Sequence, residues 1–172
     1  MKRDQLAASR VKSASKETSR RLRPPRAMPV FNVVAKALLA AGTPLGPNGL
    51  ITVRGRTSGL PRSTPVAIIE IKGRRWVWAP WGEVNWVRNL RAAGRATITV
   101  RRRSQQVLAT ELDGSQRVEF FRDIYGPLVR SIRFGVGLVR LMDGVDVNDP
   151  IAVAEDRRVF ELHPADEIVS SA

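Results

Sequence analysis

The sequence predicts an α+β protein whose core is a small antiparallel β-barrel with flanking helices. About six short β-rich runs, most of them linked as hairpins, alternate with helical patterns along the chain. Long parallel βαβ units are missing, which argues against a doubly wound sheet. The length of 172 residues suits one domain that can bury a core of its own.

The first half of the chain predicts a helix and three strands. Apolar residues of segment 30–41 recur at helical spacing and end at a glycine, which predicts a helix. A β-rich run at 50–54 is the first strand. Segments 64–71 and 74–79 are the next two, and the Lys-Gly pair between them has the length of a tight hairpin turn.

A second helix and a second hairpin follow. Residues 83–93 form a predicted amphipathic helix with Trp86 on its apolar face. Segments 96–100 and 106–112 are two further strands, joined by the charged turn "RRRSQ". The pattern predicts that this hairpin belongs to the same barrel as the first.

The last third of the chain is less regular. Asp113, with Gln116 three residues later, is a capping-box signal for a helix whose apolar side includes Tyr125. Segment 128–142 is apolar with arginines and two glycines, and its pattern assigns no element. Residues 157–162 are the predicted closing strand.

Positive charge is concentrated in two regions of different kind. The chain carries 29 Lys and Arg against 16 Asp and Glu, a net charge of +13. Residues 1–28 hold nine of the basic and two of the acidic side chains, and their polar, Ser-rich composition predicts a disordered tail before a folded domain at 29–172. Residues 52–103 hold twelve basic and two acidic side chains among Val, Ile and Trp, so they belong to the folded body. Nucleic acid, an anionic membrane surface and a polyanionic cofactor all fit such a charge.

Several classes of site and location are disfavoured by composition. The chain has no cysteine, which excludes a disulfide, a thiolate nucleophile and Cys-bound zinc. His163 is the single histidine, so we expect a surface residue and no metal site. No run approaches the roughly 20 apolar residues of a membrane span, and the N-terminus lacks the apolar core of a secretory signal. These features predict a cytoplasmic protein.

The stretch "RGRTSGLPRSTPV", residues 54–66, contains three arginines, two glycines and four hydroxyl side chains. One interpretation is a tight loop between strands with solvated arginines. The other is an anion site, in which backbone N–H groups near the glycines join four side chains: Arg56, Thr57, Ser58 and Arg62. Neither a Walker loop nor "GxGxxG" is present, and the residues of this stretch leave both interpretations open.

A second cluster follows at residues 78–98. Trp78, Trp81 and Trp86 fall within nine positions of a chain that has four Trp. Some of these rings are expected to be core, Trp86 first among them. Aromatic and apolar walls beside Asn85, Asn89, Arg88 and Arg91 would also suit a flat heterocycle with a charged tail.

Together, "TVRGRTSGLPRSTPV" and "GRRWVWAPWGEVNWVRNLRAAGRATI" resemble the deazaflavin-dependent nitroreductase and quinone reductase family, which uses coenzyme F420. The family pattern is a "GR-x-[ST]-G-x-x-R-x-x-P" loop, a strand pair, and "W-x-x-NL-x-A" opening a helix. The resemblance covers residues 50–112, and "RRVFEL" is similar to the last strand of the family. Two motifs in this order and at this separation make the resemblance specific.

The resemblance implies a flavin-reductase-like split β-barrel, often dimeric, with reduced F420 against the barrel. The implied reaction is hydride transfer from this cofactor to an electron-poor acceptor such as a quinone, enone or nitro compound. Residues that would bind its phosphate and polyglutamate tail are Arg56, Thr57, Ser58 and Arg62. Residues that would lie along its ring system and ribityl chain are Pro65, Ala79, Trp86 and Asn89.

The chain departs from the family pattern at three points. Thr57 stands where many relatives have lysine, and Arg54 is the side chain that could compensate. The loop "APWGEV" is short where relatives often have a longer Gly- and Lys-bearing loop. In the later helix only Tyr125 and Phe134 stand out as aromatic residues. Tyr125 is therefore the one candidate proton donor, with water as the alternative.

Three other interpretations accompany this resemblance. A nucleic-acid-binding module would explain the charge and the Arg101–Arg103 run, but no recognised binding motif appears. The second interpretation is a protein that binds flavin mononucleotide or heme on the same barrel. Peripheral contact with an anionic membrane, through residues 1–28 and the helix at 30–41, is compatible with the F420 interpretation and suits a lipid-soluble quinone.

Overall fold

Six strands form one antiparallel sheet that closes on itself. The computed structural model describes residues 48–165. The strands are β1 (Asn48–Arg54), β2 (Pro61–Ile71), β3 (Arg74–Ala79), β4 (Arg95–Val100), β5 (Arg103–Glu111) and β6 (Arg158–Pro164). Their order around the barrel is β1-β2-β3-β6-β5-β4, and the pairing of β1 with β4 closes it. The predicted split-barrel class, α+β with flanking helices, is confirmed.

Helices occupy two of the connections between strands. They are α1 (Asn85–Ala93), α2 (Gly114–Glu119), α3 (Gly126–Ser131), α4 (Gly135–Asp143) and α5 (Pro150–Asp156). Helix α1 joins β3 to β4, and the other four lie between β5 and β6. A π-helical turn, Phe120–Tyr125, links α2 to α3.

The turns between β2 and β3 and between β4 and β5 are each two residues long. Lys72 and Gly73 have φ of 51° and 77°, the left-handed values that match the twist of the flanking strands. Arg101 and Arg102 adopt the same region, with φ of 48° and 67°. The predicted five-residue turn "RRRSQ" is therefore wrong, because Arg103 already pairs with Val100 as the first residue of β5.

One hydrophobic core fills the barrel. Its buried members are Ile51, Val53, Val66, Ile68, Val77, Ala79, Val87, Leu90, Ala96, Ile98, Val107, Phe160 and Leu162. Two of them, Val87 and Leu90, come from α1 and are 0% exposed, so this helix is part of the barrel core. Trp86 and Ala93 pack against the same core as partly buried residues, which confirms the predicted apolar face.

A second core forms between the outside of β3 and the helices α2 to α5. The rings of Trp78 and Tyr125 lie 5.0 Å apart between centroids, and Phe121 contacts Trp78 edge-on at 5.5 Å. The predicted capping box starts α2, since Asp113 Oδ1 accepts from the Gln116 N–H and Gln116 Oε1 accepts from the Asp113 N–H, both at 2.9 Å. This helical layer thus packs on the barrel through aromatic side chains.

The segment that the sequence left without assignment contains helices α3 and α4. They are separated at Ile132–Phe134, where Phe134 adopts a left-handed φ of 64°. Helix α5 was not predicted, although Asp149 caps it through the Ala152 N–H at 3.1 Å and Pro150 occupies its first turn. The predicted tail at 1–28 and the predicted helix at 30–41 lie outside the described residues. Within 48–165, no helix is both long and apolar enough to cross a bilayer.

Candidate functional site

A cleft of ≈ 440 Å³ lies between the β1–β2 loop, the start of β2 and the first turns of α1. Its lining residues are Gly55, Arg56, Thr57, Ser58, Arg62, Ser63, Thr64, Asn85, Trp86 and Asn89. The two sequence motifs that carry the family resemblance thus line one cleft.

The loop between β1 and β2 is held tightly by its glycines. The Gly55 N–H donates to the Leu60 carbonyl at 2.9 Å, and the Gly59 N–H donates to the Gly55 carbonyl at 2.8 Å. A Cβ atom at Gly55 would lie 2.8 Å from Ser58 Oγ, so a larger residue there would displace that hydroxyl. Gly59 has φ of +67°, which a residue with a side chain rarely adopts.

Asn89 connects the loop to helix α1. Its Oδ1 accepts from the backbone N–H of Arg56 at 3.3 Å and from Arg56 Nη1 at 3.0 Å. The side chain is 7% exposed, so these bonds satisfy a buried carbonyl oxygen. Helix α1 therefore fixes both the backbone and the guanidinium of Arg56. Sequence reasoning placed both residues in the site but missed their contact.

The donors of the cleft suit an anion. Its described lining includes the exposed arginines Arg56 and Arg62, four hydroxyl side chains and two amides, and it includes no carboxylate. Ser63 and Thr64 were not among the predicted site residues, although their hydroxyls belong to the same stretch. Ser63 Oγ is 2.8 Å from Thr52 Oγ1, which fixes its position on β2.

Glu83, just before α1, forms ion pairs with arginines that do not line the cleft. Glu83 pairs with Arg91 at 2.7 Å and with Arg158 at 3.1 Å. The hydrogen bond from Arg91, more than that from Arg158, lowers the pKa of Glu83 to about 2. Arg91 and Arg88 therefore face this carboxylate and do not line the cleft, although the sequence predicts them beside the walls of a site for a heterocycle with a charged tail.

These ion pairs predict a pH dependence of stability. The pKa of Glu83 is lowered from 4.5 to about 2 in the folded state, so its contribution to stability is complete above about pH 4.5 and is lost as the pH falls towards 2. Because Glu83 is exposed, we expect Glu83→Gln to lower the stability at neutral pH by about 1 kcal/mol or less. The unfolding temperatures of the wild type and Glu83→Gln should converge as the pH falls towards 2. A constant difference between them at all pH values would contradict the stabilising role of the Glu83 ion pairs.

Three predicted site residues lie outside the cleft lining. Pro65 is half-buried on β2, next to Thr64. Ala79 is 0% exposed in the barrel core. Tyr125 is 6% exposed in the second core, and burial raises its pKa well above the ordinary value. Their proposed roles stay predictions.

Two further residues refine the sequence-based picture. Trp86 lines the cleft and also packs against Phe160, with ring centroids 6.2 Å apart, so the ring borders the cleft while it packs on the barrel core. Arg54, the suggested compensation for Thr57, is not a lining residue. Its guanidinium lies beside Gly59, on the same loop.

Residues 26–129 match the family model described as F420H(2)-dependent quinone reductase. The chain belongs to this family. The match spans more than half of the chain and contains the residues that line the cleft. As a member of the F420H(2)-dependent quinone reductases, the protein is an oxidoreductase with F420 as cofactor. The family assignment favours the F420 interpretation over the nucleic-acid, flavin mononucleotide and heme alternatives.

Solved structures with related folds include an F420-H2 dependent reductase (FDR-A), 19% identical, with a TM-score of 0.45 over 68% of this chain and 94% of that one. A putative pyridoxamine 5'-phosphate oxidase from Listeria innocua is 12% identical, with a TM-score of 0.45 over 77% and 94%. HutZ, a heme storage protein from Vibrio cholerae, is 12% identical, with a TM-score of 0.43 over 76% and 89%. No curated protein matches the sequence.

The cleft residues fit the cofactor of the family by their chemistry. F420 carries a phosphodiester and several carboxylates, and the cleft offers arginines and hydroxyls without a competing carboxylate in its described lining. Arginine provides planar, paired donors for phosphate oxygens, and hydroxyl groups add further donors.

Proposed function

We propose that the cleft binds the anionic tail of F420 through Arg56, Thr57, Ser58 and Arg62, and that Trp86 and Asn89 lie nearer to its ring. The proposed substrate is an electron-poor acceptor of the quinone, enone or nitro class. The observation that carries the proposal is the hydrogen bonding of Arg56 by Asn89, because it joins the two family motifs into one preformed basic cleft.

The chain's own contribution is binding and orientation. Reduced F420 supplies the hydride when it is bound. Asn89 holds the Arg56 guanidinium before a ligand arrives, which lowers the ordering cost of binding. The positive charge of the lining favours an anionic ligand.

The described lining contains no carboxyl, imidazole or phenol group, so it offers none of the side chains that usually act as general acids. We retain water as the proposed proton source. Tyr125 is the alternative that the resemblance suggested, and its burial in the second core speaks against direct access from the cleft.

The test is a titration of the full protein with oxidised and reduced F420, and with flavin mononucleotide, at low and moderate salt. We expect F420 to bind more tightly than flavin mononucleotide. We also expect its affinity to fall with salt, because exposed arginines lose attraction when the Debye length shrinks from about 30 Å at 0.01 M to about 8 Å at 0.15 M. Equal affinity for both cofactors, or no salt dependence, would contradict the proposed cleft.

Three further parts of the proposal concern assembly and location. A homodimer is proposed from the family resemblance, and light scattering of the purified protein measures it. Contact with an anionic membrane through residues 1–28 and 30–41 is proposed for segments outside the described residues. Cytoplasmic location stays a prediction that cell fractionation tests.

A further inference from the structure

We propose that the loop between α3 and α4, residues Ile132–Phe134, inserts into the surface of an anionic lipid bilayer. We call these three residues the α3–α4 tip. The tip belongs to neither the cleft nor the basic tail, so this contact is independent of both.

The tip exposes two large apolar side chains that are two positions apart in the chain. Ile132 is 54% exposed and Phe134 is 78% exposed. Among the side chains whose burial the structure describes, the large apolar ones with such exposure are Leu60, Ile132, Phe134 and Ile151. Single exposed apolar residues are ordinary, whereas two large ones within a three-residue turn concentrate exposed apolar surface at one place.

The backbone presents Phe134 at a conformational cost. Its φ of 64° is left-handed, a region that disfavours a residue with a Cβ atom. The next residue must be small, because a Cβ at Gly135 would clash with the Val129 carbonyl oxygen. Glycine would satisfy the backbone at position 134 as well. The strained aromatic residue is thus unexplained by the turn and points to a role at the surface.

The described contacts of the Phe134 ring do not bury it. The Arg133 guanidinium carbon lies 5.2 Å from the ring centroid, and the ring remains largely exposed. A cation stacked on an exposed aromatic ring suits the interface of a bilayer, where the ring meets the acyl boundary and the guanidinium meets headgroup phosphates.

Charge around the tip selects an anionic partner. Residues 104–172 have a net charge of −5, with seven basic and twelve acidic side chains. Residues 128–142 nevertheless contain three arginines, Arg130, Arg133 and Arg140, and no acidic residue. All three are exposed. A second copy of the tip would bring like charges together, whereas anionic headgroups attract each arginine.

Docking at the tip would place the protein at a surface where a lipid-soluble quinone accumulates. This consequence rests on the proposed function, whereas the lipid contact itself does not.

The first test is co-sedimentation of the full chain with vesicles of equal parts phosphatidylcholine and phosphatidylglycerol, compared with phosphatidylcholine alone. We expect Phe134→Gly to weaken binding about tenfold, by loss of buried apolar area. We expect Arg133→Gln to weaken it roughly fivefold on the anionic vesicles only. Phe134→Gly removes left-handed strain, so its loss of binding cannot be ascribed to unfolding. Ile151→Ser, on α5, is the matched control and should bind as the wild type does.

The second test measures insertion directly, because the basic tail can also bind anionic vesicles. In Phe134→Trp, brominated lipids should quench tryptophan emission beyond the quenching seen in the wild type. If Phe134→Gly binds as the wild type and Phe134→Trp shows no added quenching, the tip proposal is overturned and binding belongs to the tail. If Phe134→Gly instead dissociates an oligomer without changing lipid binding, the tip is an interface between copies. Unchanged F420 affinity of Phe134→Gly would keep the cleft proposal separate from either result.

Discussion

Replacement of Arg56 by alanine is expected to weaken F420 binding by about one to two orders of magnitude. A hydrogen bond to a charged group contributes about 1.5–3 kcal/mol, and each 1.4 kcal/mol changes a dissociation constant about tenfold. The change also leaves the buried Asn89 carbonyl without its side-chain donor. Fluorescence titration with oxidised F420 measures the loss, and the salt dependence should become shallower in the variant.

Arg95→Ala is the matched control for this variant. Arg95 is an exposed arginine on β4 that does not line the cleft, so its removal changes the net charge equally. We expect at most a small change in affinity. If both variants lose affinity alike, the effect belongs to overall charge and the specific role of Arg56 is wrong.

Asn89→Leu separates the positioning of Arg56 from its charge. The variant keeps all arginines but removes the acceptor of the Arg56 backbone and side chain. We expect weaker F420 binding with an unchanged salt slope, because the number of charges is preserved. A changed slope would show that Asn89 does more than orient its neighbour.

Leu90→Ala is expected to lower the free energy of unfolding by about 2–5 kcal/mol. Leu90 is 0% exposed where α1 enters the barrel core, so the truncation leaves a cavity that rigid strands cannot fill. Because the adjacent Asn89 holds Arg56, loosening of α1 should also reduce F420 affinity. Denaturant unfolding followed by circular dichroism measures the stability change.

The same substitution at an exposed leucine provides the control. Leu60 is 60% exposed, and we expect Leu60→Ala to change stability by about 0.5 kcal/mol or less. Similar losses of stability in Leu90→Ala and Leu60→Ala would mean that packing of α1 in the barrel core does not stabilise the fold.

The hairpins and α1 were predictable because their signals are local. Lys72 and Gly73 leave only two residues between β-rich runs, and such a loop permits few geometries. Helix α5 escaped prediction because its seven residues make only about two turns, too few for an apolar pattern to repeat visibly. Asp149 and Pro150 nevertheless mark its start. The length of the turn at Arg101 and Arg102 was overestimated, because arginines at left-handed positions give no compositional sign of a tight turn.

The cleft was predictable as a set of residues and not as a geometry. The motif around Arg56 and the motif around Asn89 each identified residues that line the cleft. Their hydrogen bond joins residues 33 positions apart, so only the closed fold reveals it.

The orientation of strand β3 was likewise not predictable from its sequence. Both faces of this strand are apolar and buried, and its sequence does not tell that Val77 and Ala79 face the barrel while Trp76 and Trp78 face the helices.

Barrel closure has a consequence for self-association. Each of the six strands has a hydrogen-bonded neighbour on both sides over part of its length, so no strand of this sheet is open along a whole edge. Residues 61–67 of β2 pair with β1 alone, so another chain could add only along short stretches of the described sheet. A homodimer built on the described barrel would rely instead on side-chain surfaces or on exchanged segments, and the barrel disfavours the edge-to-edge pairing that begins fibrous aggregation.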